Sequence, residues 1–365
     1  MEGLVSNAIF SSHLLYALRR VWTSKIIVGA RRGLGGLCLG LVLAGVCACT
    51  GNSTGLDADG AVACIRPPAL SVPPAGLQSS LVCSMDLQQA SRNPLLLVPG
   101  TTLTPEANYG WNYMPAFDAL GWPYCTVELP LKAMGDIQIA AEHVVYAVRE
   151  MHRRSGKPVQ ILGFSQGGMV PRWALKFWPD IRPMVSELVS LSGSNHGTLT
   201  AIPTCQQSCS PAYWQQKFGS RFGEALNETA EMYPGIDYTS IYTYTDEVVT
   251  PNTPPNASSA LRGEGRVTNV AVQEVCPGSN PDHLALGSYD PLGYALAVDA
   301  LDHPGPADVT RIAPTACAQT LMPGVDPASF ASDYADYLTF IAETQNNAAT
   351  ETAEPALRCY VPGAP

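Results

Sequence analysis

Short apolar runs alternate with longer segments of helical periodicity from about Leu81 onward. Leu95-Leu96-Leu97-Val98, set between Pro94 and Pro99-Gly100, contains no polar position. That is the pattern of a strand buried on both faces of a parallel sheet. Residues 125–129, 158–162, 184–192, 240–245 and 267–276 are further strand candidates. Ile137, Ala140, Ala141, Val144, Val148 and Met151 recur at helical spacing, with Asp136 placed to cap the start and Gly156 to close the end. Helical patterns also cover about 166–178, 213–232, 286–301 and 329–344, and Pro171 predicts a kink in the first of these. Strands alternating with helices predict an α/β fold, a mostly parallel central sheet with helices on both faces.

The ends read differently from this body. Arg19, Arg20, Lys25, Arg31 and Arg32 precede an uncharged run from Gly33 to Thr50. Residues 1–49 therefore read as a signal peptide or an N-terminal anchor. Ala44, Gly45 and Ala48 favour cleavage, and Cys47 or Cys49 is an alternative point of lipid attachment. Residues 50–80, rich in Gly, Ala, Ser and Pro, read as a linker or arm; 81–345 is the expected catalytic domain and 346–365 a C-terminal tail.

Charge and cysteine content narrow the class. The formal net charge is −10, and it becomes −14 without the five basic and one acidic residues of 1–49. Such a chain lacks the electrostatic footprint of a nucleic-acid binder. Of the 11 cysteines, eight lie outside the leader, namely Cys64, Cys83, Cys125, Cys205, Cys209, Cys276, Cys317 and Cys359. An even number behind an export signal predicts disulfides and a secreted or extracytoplasmic protein. Cys205 and Cys209 are the one closely spaced pair, with no second pair nearby, so no metal site is expected.

The candidate chemistry lies at Gly163-Phe164-Ser165-Gln166-Gly167-Gly168, where a strand runs into a helix. In that setting Gly-x-Ser-x-Gly reads as a nucleophile elbow, a sharp turn that lifts a serine hydroxyl to the carboxyl edge of the sheet. A serine needs a neutral imidazole as base, and the imidazole needs a carboxylate to hold its tautomer. His13 falls in the leader, His143 and His152 read as solvated helix positions, and His303 reads as a turn. Of the two that remain, His283 is preferred to His196, because it leaves room for an acid between itself and Ser165 in the order serine, acid, histidine. Asp246, at the end of the β-prone run Ile241–Thr245, is the preferred acid over Glu247 and Asp282. The backbone N–H of Gln166 and the N–H and hydroxyl of Thr101 are the expected oxyanion donors.

These motifs resemble those of the Candida antarctica lipase B-like secreted lipases, within the α/β-hydrolase superfamily. The matching segments are Leu95 to Thr101, Phe164 to Gly168 with Trp173 and Phe177-Trp178-Pro179, Thr245-Asp246-Glu247-Val248-Val249 with Pro251, and Val272 to Cys276 with Asp282-His283. The resemblance covers roughly Cys83 to Cys317. It implies the α/β-hydrolase fold, hydrolysis of carboxylic esters including lipid esters, and no cofactor. It implies that Phe164, Val248 and Val249 line the substrate pocket. It also implies disulfides Cys83–Cys125 and Cys276–Cys317, leaving Cys205–Cys209 and Cys64–Cys359 as the other pairs. The elbow departs from that family in Gly163 and Phe164, and Ser194-Asn195-His196-Gly197-Thr198 departs near its acidic residue.

The expected function is a secreted serine ester hydrolase, a lipase or carboxylesterase, working through an acyl-enzyme on Ser165, Asp246 and His283. An exported acyltransferase with the same triad is the alternative, since water and an alcohol compete for the same intermediate. An inactive hydrolase fold used for binding predicts a broken triad position, and none is broken in the sequence. The expected partners are an ester or lipid substrate and transient contact with a lipid interface; no nucleic acid is expected, and the chain is expected to be a monomer.

Overall fold

The computed structural model describes residues 55–56, 62–63 and 67–364. The expected signal or anchor at 1–49 lies outside the described residues. A small antiparallel pair, β1 (Gly55–Leu56) and β2 (Val62–Ala63), precedes the main sheet. That sheet has seven strands: β3 (Leu81–Cys83), β4 (Leu95–Val98), β5 (Tyr124–Val127), β6 (Val159–Phe164), β7 (Val185–Leu191), β8 (Asp237–Tyr242) and β9 (Arg266–Ala271). Their order is β3-β5-β4-β6-β7-β8-β9, parallel throughout except for the edge strand β3.

Both faces of the sheet are covered, which explains the unbroken apolar run of β4. Leu96 and Val98 face one core with Val145, Val148, Met169 and Trp173. Leu95 and Leu97 face the other with Tyr113, Phe117, Leu292 and Leu296. All four residues of β4 are at most 2 % exposed. Each such side chain contributes about 1.5–3 kcal/mol through burial.

The crossovers position the site. From β4 the chain passes to β5 on one side, then returns across β4 to β6 on the other. Loops leaving the carboxyl ends of β4 and β6 therefore diverge, opening a crevice at a topological switch point. Val98 pairs with Gly163 in register, so Gly100-Thr101 and Ser165 emerge side by side there.

The long helix Ile137–Ser155 follows its predicted caps. Asp136 accepts from the Gln138 N–H at 2.9 Å, and Gly156, at φ 66°, donates to His152 O at 2.8 Å. His143 corrects the reading of a solvated position: it faces the core at 7 % exposure, and burial pushes its imidazole pKa down. The helix Gln166–Phe177 continues through Pro171 as one element.

Three other segments also differ from the periodicity. The 213–232 pattern is divided into Pro211–Gln216 and Arg221–Asn227, with Gly219 at φ 74° between them. The 286–301 pattern is two helices, His283–Leu286 and Pro291–Asp302. The second begins where Asp290 caps Gly293 N at 2.6 Å ahead of Pro291, a helix-start signal inside an apparently continuous stripe. The 267–276 strand ends at Ala271 and turns into the helix Val272–Val275.

Both flanking segments dock on the body. The Glu142 carboxylate accepts from Ser71 N–H, Ser71 Oγ at 2.7 Å and Val72 N–H at 2.9 Å, ahead of a helix at Pro74–Ser79. After the helix Phe330–Asn346, the chain returns to bury Tyr360, whose hydroxyl accepts from Trp173 Nε1 at 3.1 Å. Disulfides join Cys83–Cys125, Cys205–Cys209 and Cys276–Cys317, as expected. Cys359 is also disulfide-bonded, and its expected partner Cys64 lies outside the described residues. Among the described residues no helix is long and apolar enough to cross a membrane.

One buried acid sets a pH-dependent cost away from the site. Glu187 on β7 is 3 % exposed, and burial, then the charge of Asp237, pushes its carboxyl up to about 9 from an ordinary 4.5. The stability it retains below pH 4.5 is therefore lost as pH rises toward 9, where the unfolded chain ionises and the folded one resists. Glu187→Gln is expected to raise Tm over the parent at about pH 8 and to raise it much less at about pH 4. Thermal melts at the two pH values check this; an equal offset at both contradicts it.

Candidate active site

Ser165 follows the last residue of β6 and precedes the helix Gln166–Phe177. Its backbone lies at φ 53°, ψ −119°, a region costly for any residue with a Cβ. The neighbouring glycines make the turn possible. A Cβ on Gly163 would lie 2.0 Å from Gly167 O, and one on Gly167 would lie 2.2 Å from Val98 O. Both obstacles are backbone and cannot step aside. Ser165 N donates to Leu191 O at 2.8 Å, which ties the elbow to β7.

The structure brings Asp246 and His283 together from the loops after β8 and β9. His283 Nδ1 lies 2.9 Å from Asp246 Oδ2, with the histidine 3 % and the aspartate 6 % exposed. Asp246 Oδ1 accepts from Val248 N at 3.0 Å and Val249 N at 2.7 Å, and Oδ2 accepts from Asn252 Nδ2 at 3.2 Å. The carboxylate is thus held by three N–H donors besides the imidazole. Glu247, the rival acid, instead accepts the backbone N–H of His283 at 3.1 Å. Asp282, the other rival, caps the His283–Leu286 helix by accepting from Ala285 N at 2.7 Å. Burial lowers the pKa of the His283 imidazole most, but the charge and hydrogen bond of Asp246, with Glu247 and Asp282, together hold it above its ordinary value.

His196, the other histidine considered, is committed elsewhere. Its Nδ1 lies 2.8 Å from Ser258 O and its Nε2 2.9 Å from Glu231 Oε1. Burial raises the pKa of the Glu231 carboxyl, but His196 and the buried Arg172 outweigh it and lower the value overall.

The expected pocket residues differ in placement. Phe164 is 2 % exposed, and its ring centroid lies 4.9 Å from that of His283. The ring fills a slot between Gly100 and Gly287, where a Cβ on either would approach it to 2.8 Å and 2.1 Å. Phe164 thereby links Ser165 to the base loop by packing. Val248 is 37 % exposed, whereas the Val249 side chain is buried at 1 %.

Thr101 and Gln166 meet in a polar network that periodicity and motif did not reveal. Gln216, the last residue of the helix Pro211–Gln216, donates from Nε2 to Thr101 Oγ1 at 3.0 Å and to Ala212 O at 3.2 Å. Its Oε1 accepts from Ser194 Oγ at 2.9 Å. Gln166 Nε2 donates to Ala133 O at 2.8 Å and reaches Thr101 Oγ1 at 3.4 Å. No sequence signal separates Gln216 from its neighbour Gln215, which bonds Asp136 and Ile137. Among the described residues no group of three or more His, Cys, Asp or Glu side chains could hold a metal ion.

The chain is 33% identical over 214 residues to lipase B of Pseudozyma antarctica, a match covering 57% of this chain and 61% of that protein. It thus spans less than two thirds of that relative's length. The crystal structure of Aspergillus fumigatus lipase B superposes with a TM-score of 0.75 at 28% identity, covering 85% of this chain and 76% of that one. No family model matches the chain. The sheet order, the elbow and the likeness to lipase B identify the fold as that of the α/β hydrolases.

The electrostatics of the pair give a direct test. An NMR titration of the His283 imidazole should show a midpoint above 6.5, and Asp246→Asn should lower it, because burial then acts with less opposition. An unchanged midpoint in the variant contradicts the assignment.

Proposed function

We propose that this chain is a serine hydrolase of carboxylic esters, including lipid esters, with Ser165 as nucleophile, His283 as base and Asp246 as its orienting acid. The observation that carries the reading is the buried Asp246–His283 pair, 2.9 Å apart, on loops at the same sheet edge as the strained elbow. The likeness to lipase B supports the choice of ester over other acyl bonds.

In the proposed cycle Ser165 Oγ attacks the ester carbonyl carbon while His283 Nε2 takes its proton. Nδ1–H of His283 stays with Asp246, whose charge stabilises the imidazolium without itself taking the proton. The carbonyl oxygen becomes an oxyanion that accepts from the Gln166 N–H and from Thr101. Each such donor contributes about 3–4 kcal/mol to the transition state. Collapse returns the proton from His283 to the leaving alcohol and leaves an acyl-enzyme. Water, deprotonated by the same imidazole, then attacks the acyl carbon, and His283 returns that proton to Ser165 Oγ as the acid leaves. The disulfides, with the leader-like pattern of basic and then uncharged residues in 1–49, support action outside the cytoplasm.

The segment after Thr198 supports a restrained cover over the site. It is closed by the Cys205–Cys209 bridge, and Cys209 exchanges two backbone hydrogen bonds with Glu351 at 3.1 and 2.8 Å. Leu199 and Ile202 are its exposed apolar residues.

Two outcomes test these readings. Ser165→Ala should abolish p-nitrophenyl ester turnover while the melting curve stays cooperative; undiminished turnover rejects the nucleophile. Rate against concentration of a sparingly soluble ester should pass the solubility limit without a steep jump, since a pinned cover does not open widely. A steep jump there rejects the restrained cover.

A further inference from the structure

We propose that Gln216 is a positioning residue that turns the hydroxyl proton of Thr101 toward the oxyanion; this rests on the ester-hydrolase reading above. A threonine hydroxyl has one proton to give and two lone pairs to receive. Gln216 Nε2, at 3.0 Å, presents an N–H to Thr101 Oγ1, and Gln166 Nε2 presents another at 3.4 Å. An oxygen that accepts from both sides keeps its own proton for a third direction. Thr101 is only partly buried.

The alternative use of the proton is weak. Gln216 Oε1, an amide oxygen with two lone pairs, is within reach of the Thr101 hydroxyl, but at 3.4 Å the bond is well beyond the usual O–H···O length, whereas Ser194 Oγ donates to the same oxygen at 2.9 Å. The remaining Nε2 proton of Gln216 goes to Ala212 O at 3.2 Å. Every polar atom of this buried amide, 4 % exposed, is therefore assigned, and flipping it would set Oε1 against the Ala212 carbonyl oxygen.

The backbone around Gln216 is equally fixed. Its carbonyl accepts from Thr198 N at 2.8 Å. Gln215 beside it accepts from Ile137 N at 2.7 Å and donates to Asp136 Oδ1 at 2.6 Å. Ser194 is fully buried and reaches back to the elbow, its N–H 3.4 Å from Ser165 O. Donor direction is thus set before substrate arrives, which is the condition under which an oxyanion donor is most effective.

A double-mutant cycle on the full chain, read as kcat and KM for a p-nitrophenyl ester, tests the assignment. Thr101→Val is expected to lower kcat by about 100-fold. Gln216→Met, similar in volume but unable to donate, is expected to lower kcat by about 10-fold and to leave KM within about twofold. Within the Thr101→Val background, Gln216→Met should change kcat by less than about twofold, because the hydroxyl it orients is gone. Ser194→Ala, which loosens the amide, should give a smaller loss with the same dependence on Thr101, and serves if Gln216→Met does not fold. An equal loss with and without the Thr101 hydroxyl overturns the proposal, as does no loss in Gln216→Met. Ser165→Ala separates the two levels. Turnover surviving in that variant overturns the ester-hydrolase reading and this one with it. A dead Ser165→Ala with an additive cycle overturns this one alone.

Discussion

The site depends on one backbone conformation, that of Ser165 at φ 53° and ψ −119°. Such a residue costs about 1–3 kcal/mol and persists only where its surroundings leave no alternative. Here the alternatives are closed by contact. Gly163 and Gly167 meet each other and Val98 at distances that exclude a Cβ. All six residues of β6 are buried, so burial of Ile161 and Leu162 alone, about 1.5–3 kcal/mol each, offsets the strain. The elbow exists because a heavily buried strand drives into a tightly packed helix.

Around that turn the polar groups are held before any substrate is present. Asp246 is fixed by three N–H donors and the imidazole, His283 by Asp246, Glu247 and the ring of Phe164. The two sides of the site come from different parts of the fold: Thr101 from the β4 loop, the base pair from the loops after β8 and β9. The switch between β4 and β6 lets these parts converge on one edge, which is why crossover order matters to chemistry.

Much of this was legible in the sequence, and the reason is local. The β4 run, the Asp136 and Gly156 caps, and Gly163-x-Ser165-x-Gly167 each state their structure within a few residues. The choice of His283 over His196 rested on the order serine, acid, histidine, and that of Asp246 on a strand end that periodicity could place, although β8 stops at Tyr242 and a turn carries the chain on to Asp246. What escaped was decided by tertiary partners. His143 looked like a solvated helix residue, yet the side of the helix it occupies is buried. The helical stripes at 213–232 and 286–301 concealed breaks set by Gly219 and by Asp290-Pro291. Gln216 had no motif at all, because its meaning lies in Thr101, 115 residues away.

The central claim is that the Ser165 oxygen becomes covalently acylated, and trapping it tests this most directly. Treatment with an alkyl phosphonate ester, followed by intact mass and peptide mapping, should give one equivalent of adduct on the peptide containing Ser165, with ester turnover falling in proportion. An adduct on another residue that accounts for the lost activity, or turnover that persists when Ser165 is fully labelled, contradicts it.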